Sequence, residues 1–488
     1  MVFFTAAFVV LGLAAVALEV VSRRGMGGGG TPTTPDFKRL QRLYLAVYFM
    51  SVMGDWLQGP YVYALYEHYQ FSKQQIAWLF IVGFGSSMIF GPFAGQAADK
   101  YGRKMSCMIY CALYIVSCMT KHSPDFYVLL FGRLTGGMAT SILFSSFESW
   151  YVSEHNKSFY PSEWLSQTFS LATTGNSAVA IVAGQLGNAV KVQFNSLVAP
   201  FDAAIVFLTI AMGVIWTYWG ENKGESATLS AKPETALLLL EENSEESATP
   251  SAVRDPRSKL KIAMDAMTRD PKIMLLGGIQ SCFEGSMYIF VFMWTPKLEP
   301  LFPGLPHGQV FACFMTCSAV GSGLLRYIQA SRGPALYYMR EVYVVAALAL
   351  GIPALPGVGA NVTVMCFFIF EVTVGVYFPS MGGIKAMHVP EEVRATIYNI
   401  FRMPLNLIVL LVLSNIGTIS DDVVFAICAL LLFAAAFMQH LFIQMVKSSG
   451  GGSSMGPAAA ATEDLAPLVN SKNDDVLSAD DSEIQPAR

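Results

Sequence analysis

The chain has 488 residues, of which 53% are hydrophobic and 14% are charged, whereas soluble domains carry about 25% charged residues. A soluble protein of this composition would expose large apolar patches to water, which favours aggregation, so the bilayer is the expected solvent. The net charge of −4 and the lack of a basic domain argue against a nucleic-acid-binding protein.

Long apolar runs separated by Gly, Pro and clusters of charge predict one leading membrane-spanning helix and then twelve more. The spans are predicted at 2–21, 42–64, 75–95, 105–120, 124–147, 165–189, 201–219, 272–296, 308–328, 341–354, 361–381, 397–416 and 422–445. The longest loop, 220–271, divides the twelve helices into six and six.

These spans set the predicted domain boundaries. An N-terminal anchor helix occupies 1–22, a cytosolic linker 23–41, and the first six helices 42–219. A second cytosolic linker covers 220–271, the last six helices 272–446, and an acidic cytosolic tail 447–488. The second linker is rich in Glu, Ser, Ala and Lys, and the tail is rich in Gly, Ser and Asp, so both are predicted to be disordered.

The charges flanking the first helix predict the topology. Arg23 and Arg24 follow the apolar run directly, which is the reverse of the charge order in a cleaved signal peptide. The positive-inside rule therefore places the amino terminus outside and the carboxyl terminus in the cytosol. With this orientation most Lys and Arg residues are cytosolic, and the exceptions in outside loops are Lys73, Lys121, Lys191 and Lys297.

The sequence shows no pattern for an enzyme, a metal site or a bound cofactor. It contains no HExxH pair, no phosphate-binding loop and no nucleophile elbow. All eight cysteines fall inside predicted spans, where apolar packing is the expected role. We therefore expect neither catalysis, a resident metal nor a disulfide framework.

The loop after the third predicted span carries a spaced motif, in which Gly95 is followed by Asp99, Gly102, Arg103 and Lys104. A tight turn between antiparallel helices needs glycine, and Asp99 can pair with the basic residues. In this motif the chain resembles the major facilitator superfamily. The resemblance implies an all-α membrane protein of two six-helix bundles around a central cavity, here with one extra N-terminal transmembrane helix. It also implies that the motif braces a gate.

Charged residues inside spans are rare because they are costly in hydrocarbon, so they mark substrate or ion paths. Asp55, Arg133, Glu284 and Glu371 lie on four helices that line the cavity in the superfamily, and Arg402 lies on the eleventh helix of the twelve. Glu148 closes the cytosolic end of the fourth helix and is added to the gate residues. Arg133 and Glu371 occupy corresponding positions in a short internal repeat, and repeat-related midplane positions form transport sites.

Longer blocks sharpen the resemblance over about residues 1–446. They are Gly54–Tyr61, Phe147–Trp150, Phe283–Tyr288, Trp294–Pro296 and Phe401–Asn406. These blocks resemble the eukaryotic molybdate-anion transporter branch of the superfamily. That resemblance implies uptake of molybdate across the plasma membrane.

Molybdate is a tetrahedral dianion that suits guanidinium groups and neutral donors. Arg133 and Arg402 are the predicted cationic contacts. The neutral donors that complete the predicted shell are Tyr61, Gln58, Asn176, Gln280 and Tyr288.

Asp55, Glu284 and Glu371 would repel the dianion if all three were ionised. Two hypotheses resolve this: Arg133 pairs with Asp55 or Glu371, or Asp55 or Glu284 carries a cotransported proton. Besides molybdate, protons and the lipid bilayer, no partner is expected, and a monomer is the default. The alternatives are the same fold carrying sulfate or an organic anion, and a non-transporting membrane receptor.

Overall fold

The computed structural model describes residues 2–25, 33–224, 256–390 and 393–449, and the regular elements in these ranges are all helical. The helices of the first half are α1 (Val2–Gly25), α2 (Pro35–Trp56), α3 (Val62–His68), α4 (Lys73–Tyr101), α5 (Arg103–Met119), α6 (Phe126–Leu143), α7 (Ser146–Lys157), α8 (Ser162–Phe194) and α9 (Ala199–Tyr218). Those of the second half are α10 (Pro256–Arg269), α11 (Pro271–Leu298), α12 (His307–Arg332), α13 (Ala335–Gly351), α14 (Ala360–His388), α15 (Arg394–Ser414) and α16 (Asp421–Ser449).

The apolar runs of the sequence coincide with helices of the structure. Within the described residues, ten helices are long and apolar enough to cross a membrane. The three remaining predicted spans correspond to α2 with α3, to α5 and to α8. The fold is therefore an all-α, multi-pass membrane architecture of twelve spans preceded by α1.

The first of the twelve spans is broken near its end. Its continuous helix stops at Trp56, and a short 3-10 helix, Gly59–Tyr61, leads into α3. Pro60 cannot donate a backbone hydrogen bond, and the Gln58 amide instead donates to the carbonyl of Gly54 at 3.0 Å. The break turns the last two helical turns of the span toward the second bundle.

The predicted 23–41 linker is shorter than expected. The α2 helix begins at Pro35, where Thr34 caps it by accepting a hydrogen bond from the Phe37 N–H at 3.3 Å. Proline at the first helical position and a threonine cap stabilise a helix start outside the apolar run. Residues 26–32 lie outside the described residues.

The prediction that residues 220–271 are wholly disordered is wrong for the described part of that segment, because α10 occupies Pro256–Arg269. Ala263, Ala266 and Met267 recur at helical spacing and pack against the core of the second bundle. The polar composition of the segment concealed this narrow apolar stripe. Residues 225–255 lie outside the described residues, as does the predicted tail beyond Ser449.

Two faces of the molecule are distinguished by the loops they carry. The linker face holds the α4–α5 turn and the end of α9, and the opposite face holds the α3–α4, α11–α12 and α15–α16 connections. Helices α2–α9 form the amino-terminal bundle, and α11–α16 form the carboxyl-terminal bundle.

The two bundles meet in the half of the molecule nearest the opposite face. Lys73 of α4 forms an ion pair with Asp421 of α16. The Gln74 amide donates to the Ser414 carbonyl at 3.0 Å and accepts from the Gly417 N–H at 2.9 Å. Between described residues, the hydrogen bonds and ring contacts that join the bundles run from mid-depth to this face, so the conformation is closed there.

The extra helix α1 runs parallel to α12 on the outside of the carboxyl-terminal bundle. Gln309 donates to the Thr5 hydroxyl at 2.8 Å near the opposite face, and Leu18 packs against Gly323 nearer the linker face. The two chain directions therefore place the start of α1 at the opposite face.

Candidate functional site

The gate motif forms a brace at the linker face of the amino-terminal bundle. Gly102 makes the turn between α4 and α5 with φ of +126°, a conformation that favours glycine. The guanidinium of Arg103 pairs with Asp99 at 2.7 Å and donates to the Ser149 carbonyl at 3.1 Å. The ion pair thus joins the ends of α4, α5 and α7.

Glu221, which was not predicted from the sequence, completes this brace. Its carboxylate accepts from the backbone N–H groups of Lys104 at 2.9 Å and Met105 at 3.0 Å, and so caps the start of α5. The predicted gate residue Glu148 is exposed and makes no hydrogen bond among those described. Its neighbour Ser149 supplies the α7 contact to Arg103 through its backbone. A carboxylate beyond α9 could not be assigned to α5 without the tertiary fold.

The remaining motif residues are peripheral. The Lys104 ammonium donates to the Trp216 carbonyl at 3.0 Å. A Cβ atom added at Gly95 would meet no atom within 4 Å, so the structure gives no packing reason for glycine at this position.

Asp55, Tyr114 and Arg133 define an amino-terminal polar cluster. The Tyr114 hydroxyl donates to Asp55. The Arg133 Nε donates to the Leu79 carbonyl at 3.1 Å, and its guanidinium lies over the Phe80 ring at 4.9 Å. The side chain is held on α4 rather than extended into the space between the bundles.

The hypothesised pairing of Arg133 with Asp55 or Glu371 is not formed. Both pairs belong to the described residues, and neither has an N···O distance within 4.0 Å, although Arg133 still attracts the Asp55 carboxylate at longer range. The absence of a side chain at Gly83 allows the guanidinium to dock against α4. Sequence spacing alone could not reveal this competing partner.

Lys121, predicted to lie in an outside loop, is fully buried at the end of α5. Its ammonium lies 5.7 Å from the Tyr66 ring centroid. Desolvation, with added repulsion from Arg133, lowers the pKa of Lys121 to about 7. The amino-terminal bundle therefore holds a cation near the opposite face that can lose its proton near neutral pH.

A carboxyl-terminal polar cluster consists of Gln280, Glu284, Tyr377, Lys385 and Arg402. The Tyr377 hydroxyl donates to Glu284 at 3.1 Å, and the Lys385 ammonium donates to the Gln280 side-chain oxygen at 3.0 Å. Lys385 and Arg402 both attract the Glu284 carboxylate electrostatically. Arg402 is exposed and takes part in none of the described hydrogen bonds or ion pairs.

Lys385 and Tyr377 were not predicted as site residues from the sequence. Hydropathy ended the tenth of the twelve spans at residue 381, whereas α14 continues to His388. Lys385 follows Glu371 by fourteen residues, close to four helical turns, and the helix continues through Pro379, Gly382 and Gly383 to reach it. Proline and a glycine pair favour a helix end at this point, so the sequence carried no clear signal for this cation.

Of the predicted neutral donors, Gln280 and Tyr288 belong with the carboxyl-terminal polar cluster. Tyr288 lies in the electrostatic field of Glu284 and Arg402, and its ring contacts that of Phe84 across the bundle interface at 5.3 Å. This aromatic contact joins the two bundles beside the cluster.

The other predicted donors lie elsewhere. Gln58 is bonded within its own helix. Asn176 accepts from the Trp56 indole N–H at 2.9 Å, and the buried Tyr61 hydroxyl lies beside Gly308 at the bundle interface. The structure therefore does not bring these three donors to the cationic residues.

Glu371 is also separate from the carboxyl-terminal polar cluster. It is 5% exposed, and its field acts on Cys317 of α12. The packing of Val372 and Gly375 against α12 places this part of α14 at a helix–helix contact inside the bundle.

Two helical bundles, a braced turn and buried charges beside their interface define a polytopic transporter of the alternating-access type. A family model described as sugar transporters with twelve transmembrane segments matches residues 3–236 and 227–366. A POT-family transporter, PepTSo, superposes with a TM-score of 0.64 at 11% identity, covering 86% of this chain and 99% of that one, so the fold is shared.

Two curated relatives are closer in sequence, and both are named molybdate-anion transporter. The one from Takifugu rubripes is 36% identical over 83% of this chain and 86% of its own length. The one from Danio rerio is 35% identical over 82% of this chain and 85% of its own length. The chain therefore belongs to the molybdate-anion transporter family of the major facilitator superfamily.

Proposed function

We propose that the protein carries molybdate across a membrane by alternating access. The observation that carries the proposal is the 36% identity to a molybdate-anion transporter over 83% of the chain. The carboxyl-terminal polar cluster supplies the matching chemistry, because guanidinium and ammonium groups bind the oxygens of a tetrahedral dianion.

Arg402 is the primary oxyanion contact in this proposal. It is exposed, it has no described hydrogen-bond partner, and Lys385 lies close enough for both cations to act on Glu284. A dianion that contacts both residues has its two negative charges neutralised by the two positive side chains. Arg133 is a second contact only after its side chain leaves α4, since its Nε is engaged by the Leu79 carbonyl and its guanidinium lies against Gly83.

Glu284 is the coupling acid that we favour. In the absence of substrate its carboxylate competes for the same two cations that the dianion needs. A proton on Glu284 removes that competition and frees Lys385 and Arg402 for molybdate, so proton and anion bind together. Asp55 is the second candidate, because its described donor is the Tyr114 phenol and, among the described residues, no cation lies within ion-pair distance.

The binding role is tested by labelled molybdate uptake into proteoliposomes containing the wild type, Arg402→Gln or Lys385→Gln. Loss of a charged hydrogen bond costs about 1.5–3 kcal/mol, so each variant should raise KM by about ten- to a hundredfold. The control is Arg340→Gln, which removes an arginine paired with Glu341 on the surface of α13. Unchanged KM in both test variants would contradict the assignment.

Two further outcomes define the substrate. Equal suppression of uptake by sulfate and by unlabelled molybdate would broaden the substrate class to tetrahedral oxyanions. A complete lack of molybdate counterflow in correctly folded protein would favour a non-transporting receptor.

Proton coupling has its own test. Glu284→Gln should abolish the dependence of net uptake on external pH while leaving counterflow intact, because exchange needs no net proton movement. If only Asp55→Asn had this effect, Asp55 would be the coupling acid, and if neither did, coupling through these acids would be refuted.

We propose that the linker face lies in the cytosol, since it carries Arg103, Lys104 and Lys157 and the positive-inside rule favours such residues on that side. We further propose a monomer in the plasma membrane, with the amino terminus outside. Antibody access to an N-terminal tag in intact cells tests the orientation and the membrane together. Detection only after permeabilisation would contradict this placement.

A further inference from the structure

A second group of titratable side chains lies at the opposite face, apart from both polar clusters. Glu67 ends the broken first span in the amino-terminal bundle, and Glu299 and His307 flank the α11–α12 loop in the carboxyl-terminal bundle. Glu67 lies one helical turn beyond Tyr63, whose ring contacts that of Phe292 on α11 at 5.2 Å, and the carboxyl groups of Glu67 and Glu299 act on each other electrostatically. The contact crosses the interface between the bundles.

Two ionised carboxylates repel each other and cannot donate a hydrogen bond, so a proton on one of them replaces repulsion with a donor. The Oε2 atom of Glu299 is buried, and no described group with a permanent proton donates to it. His307 is 5% exposed, and neither ring nitrogen has a hydrogen-bond partner among the described residues. These orphaned buried atoms show that the cluster is not satisfied by the fixed donors around it.

The surroundings divide the charge between the two acids. The His307 Nε2 lies 3.8 Å from Glu299, and this contact holds the pKa of Glu299 below its ordinary value. Desolvation, together with the contact to Glu299, raises the pKa of Glu67 from 4.5 to about 7. The proton therefore resides on Glu67, which is exposed to the opposite face.

Other charged and titratable groups lie on the elements packed around this pair. They are Lys191 of α8, His68 and Tyr63 of α3, Tyr61, the Lys73–Asp421 pair and the Lys297–Asp422 pair. Both lysine pairs are already neutralised by their own aspartates. Lys191 adds attraction to Glu299 and so favours the ionised form of that acid.

We propose that Glu67 and Glu299 form a proton-binding latch that ties the two bundles together at the opposite face. A proton taken from the solution on that side completes the hydrogen bond, and its loss leaves two carboxylates in repulsion across the interface. The latch is separate from the substrate residues, and it acts whatever anion the protein carries.

The direction of the pH effect follows from linkage. Glu67 binds its proton more tightly in the closed conformation than after the bundles separate, when its pKa returns toward 4.5. Closure at the opposite face is therefore strongest at acidic pH, weakens as the pH rises above about 4.5, and loses this contribution as the pH passes through about 7.

The test measures the conformation directly and without substrate. Spin labels at Pro124→Cys and Leu355→Cys, both exposed on the opposite face in different bundles, report the separation of the bundles in nanodiscs. The chain without these two changes gives the background, since its described cysteines are buried or half-buried. The ratio of closed to open distances should fall about thirtyfold between pH 5.5 and pH 8.5.

Glu67→Gln keeps a hydrogen-bond donor and cannot titrate. In this variant the ratio of closed to open distances should therefore stay high and constant over this pH range. The matched control is Asp202→Asn, which removes the acid of a His122–Asp202 pair, 2.8 Å apart, lying within one bundle; its profile should follow the wild type. The proposal is overturned if the closed-to-open ratio of the wild type does not change with pH. It is also overturned if the ratio in Glu67→Gln changes with pH as it does in the wild type. Loss of the profile only in His307→Gln would also overturn it, because the imidazole would then be the sensor.

Discussion

Replacing Gly184 by alanine should force the bundles apart at the opposite face. A Cβ atom at this position in α8 would lie 2.6 Å from the Gly308 carbonyl oxygen and 2.9 Å from the Ala312 nitrogen of α12. Both contacts are with backbone atoms, which cannot rotate away as a side chain can. Helices that approach this closely need small residues on both sides.

The size of the effect follows from these distances. Ordinary contact begins near 3.4 Å, so α8 and α12 must separate by about 0.8 Å, and overpacking of this kind costs about 1–3 kcal/mol. The cost applies only while the bundles are in contact. The ratio of open to closed conformations should therefore rise by about five- to 150-fold.

The same spin-label pair measures this shift at a fixed acidic pH. The control is Gly213→Ala on α9, where an added Cβ meets no atom within 4 Å. Both variants gain about 1 kcal/mol in helix propensity from the change of glycine to alanine. An unchanged distance distribution in Gly184→Ala, with the control also unchanged, would show that this glycine contact does not limit closure.

Two further predictions concern packing and charge. Trp219 is 3% exposed and stacks on Trp150 with ring centroids 3.6 Å apart, so Trp219→Ala should cost about 3–5 kcal/mol and lower the midpoint of thermal unfolding. Lys73→Gln removes the Asp421 ion pair across the interface; because the pair is partly exposed, it should cost under about 1 kcal/mol and open the opposite face by at most about fivefold in the spin-label assay.

Matched variants separate these effects from general damage. Trp216 is 66% exposed, and Trp216→Ala should leave the unfolding midpoint nearly unchanged. Lys297→Gln removes an ion pair with Asp422 that lies within the carboxyl-terminal bundle, so it should not change the spacing of the bundles. Equal effects of test and control in either pair would contradict the corresponding prediction.

Hydropathy predicted the order of the spans because the preference for lipid is a property of each segment alone. It failed where a partner outside the segment decides the outcome. Lys385 lies beyond the apolar run but on a continuing helix, and Arg133 is held by a carbonyl of α4 rather than by an acid. The composition of a helix indicates whether it lies in lipid or in water. The direction in which one of its charged side chains points depends on the packing around it.

The contact between Glu67 and Glu299 illustrates the same limit more strongly. The two residues lie on different bundles, more than two hundred positions apart, and Glu67 follows the break in the first span at Gly59 and Pro60. The Gly-Pro pair was visible in the sequence, but its consequence for the course of α3 was not. Sites formed by rigid-body closure are therefore the least accessible to reasoning from sequence.

The interface at the opposite face is built from several weak contacts, and this suits an alternating carrier. Moving a conformational ratio from 1:99 to 99:1 takes about 5.5 kcal/mol. The Lys73–Asp421 pair contributes under about 1 kcal/mol, and the glycine contact between α8 and α12 gains dispersion energy only while the faces touch. A single contact stronger than the full range would lock the carrier in one state. With the closing energy spread over small terms, the gain or loss of one proton at Glu67 would shift the balance between the two conformations without locking either.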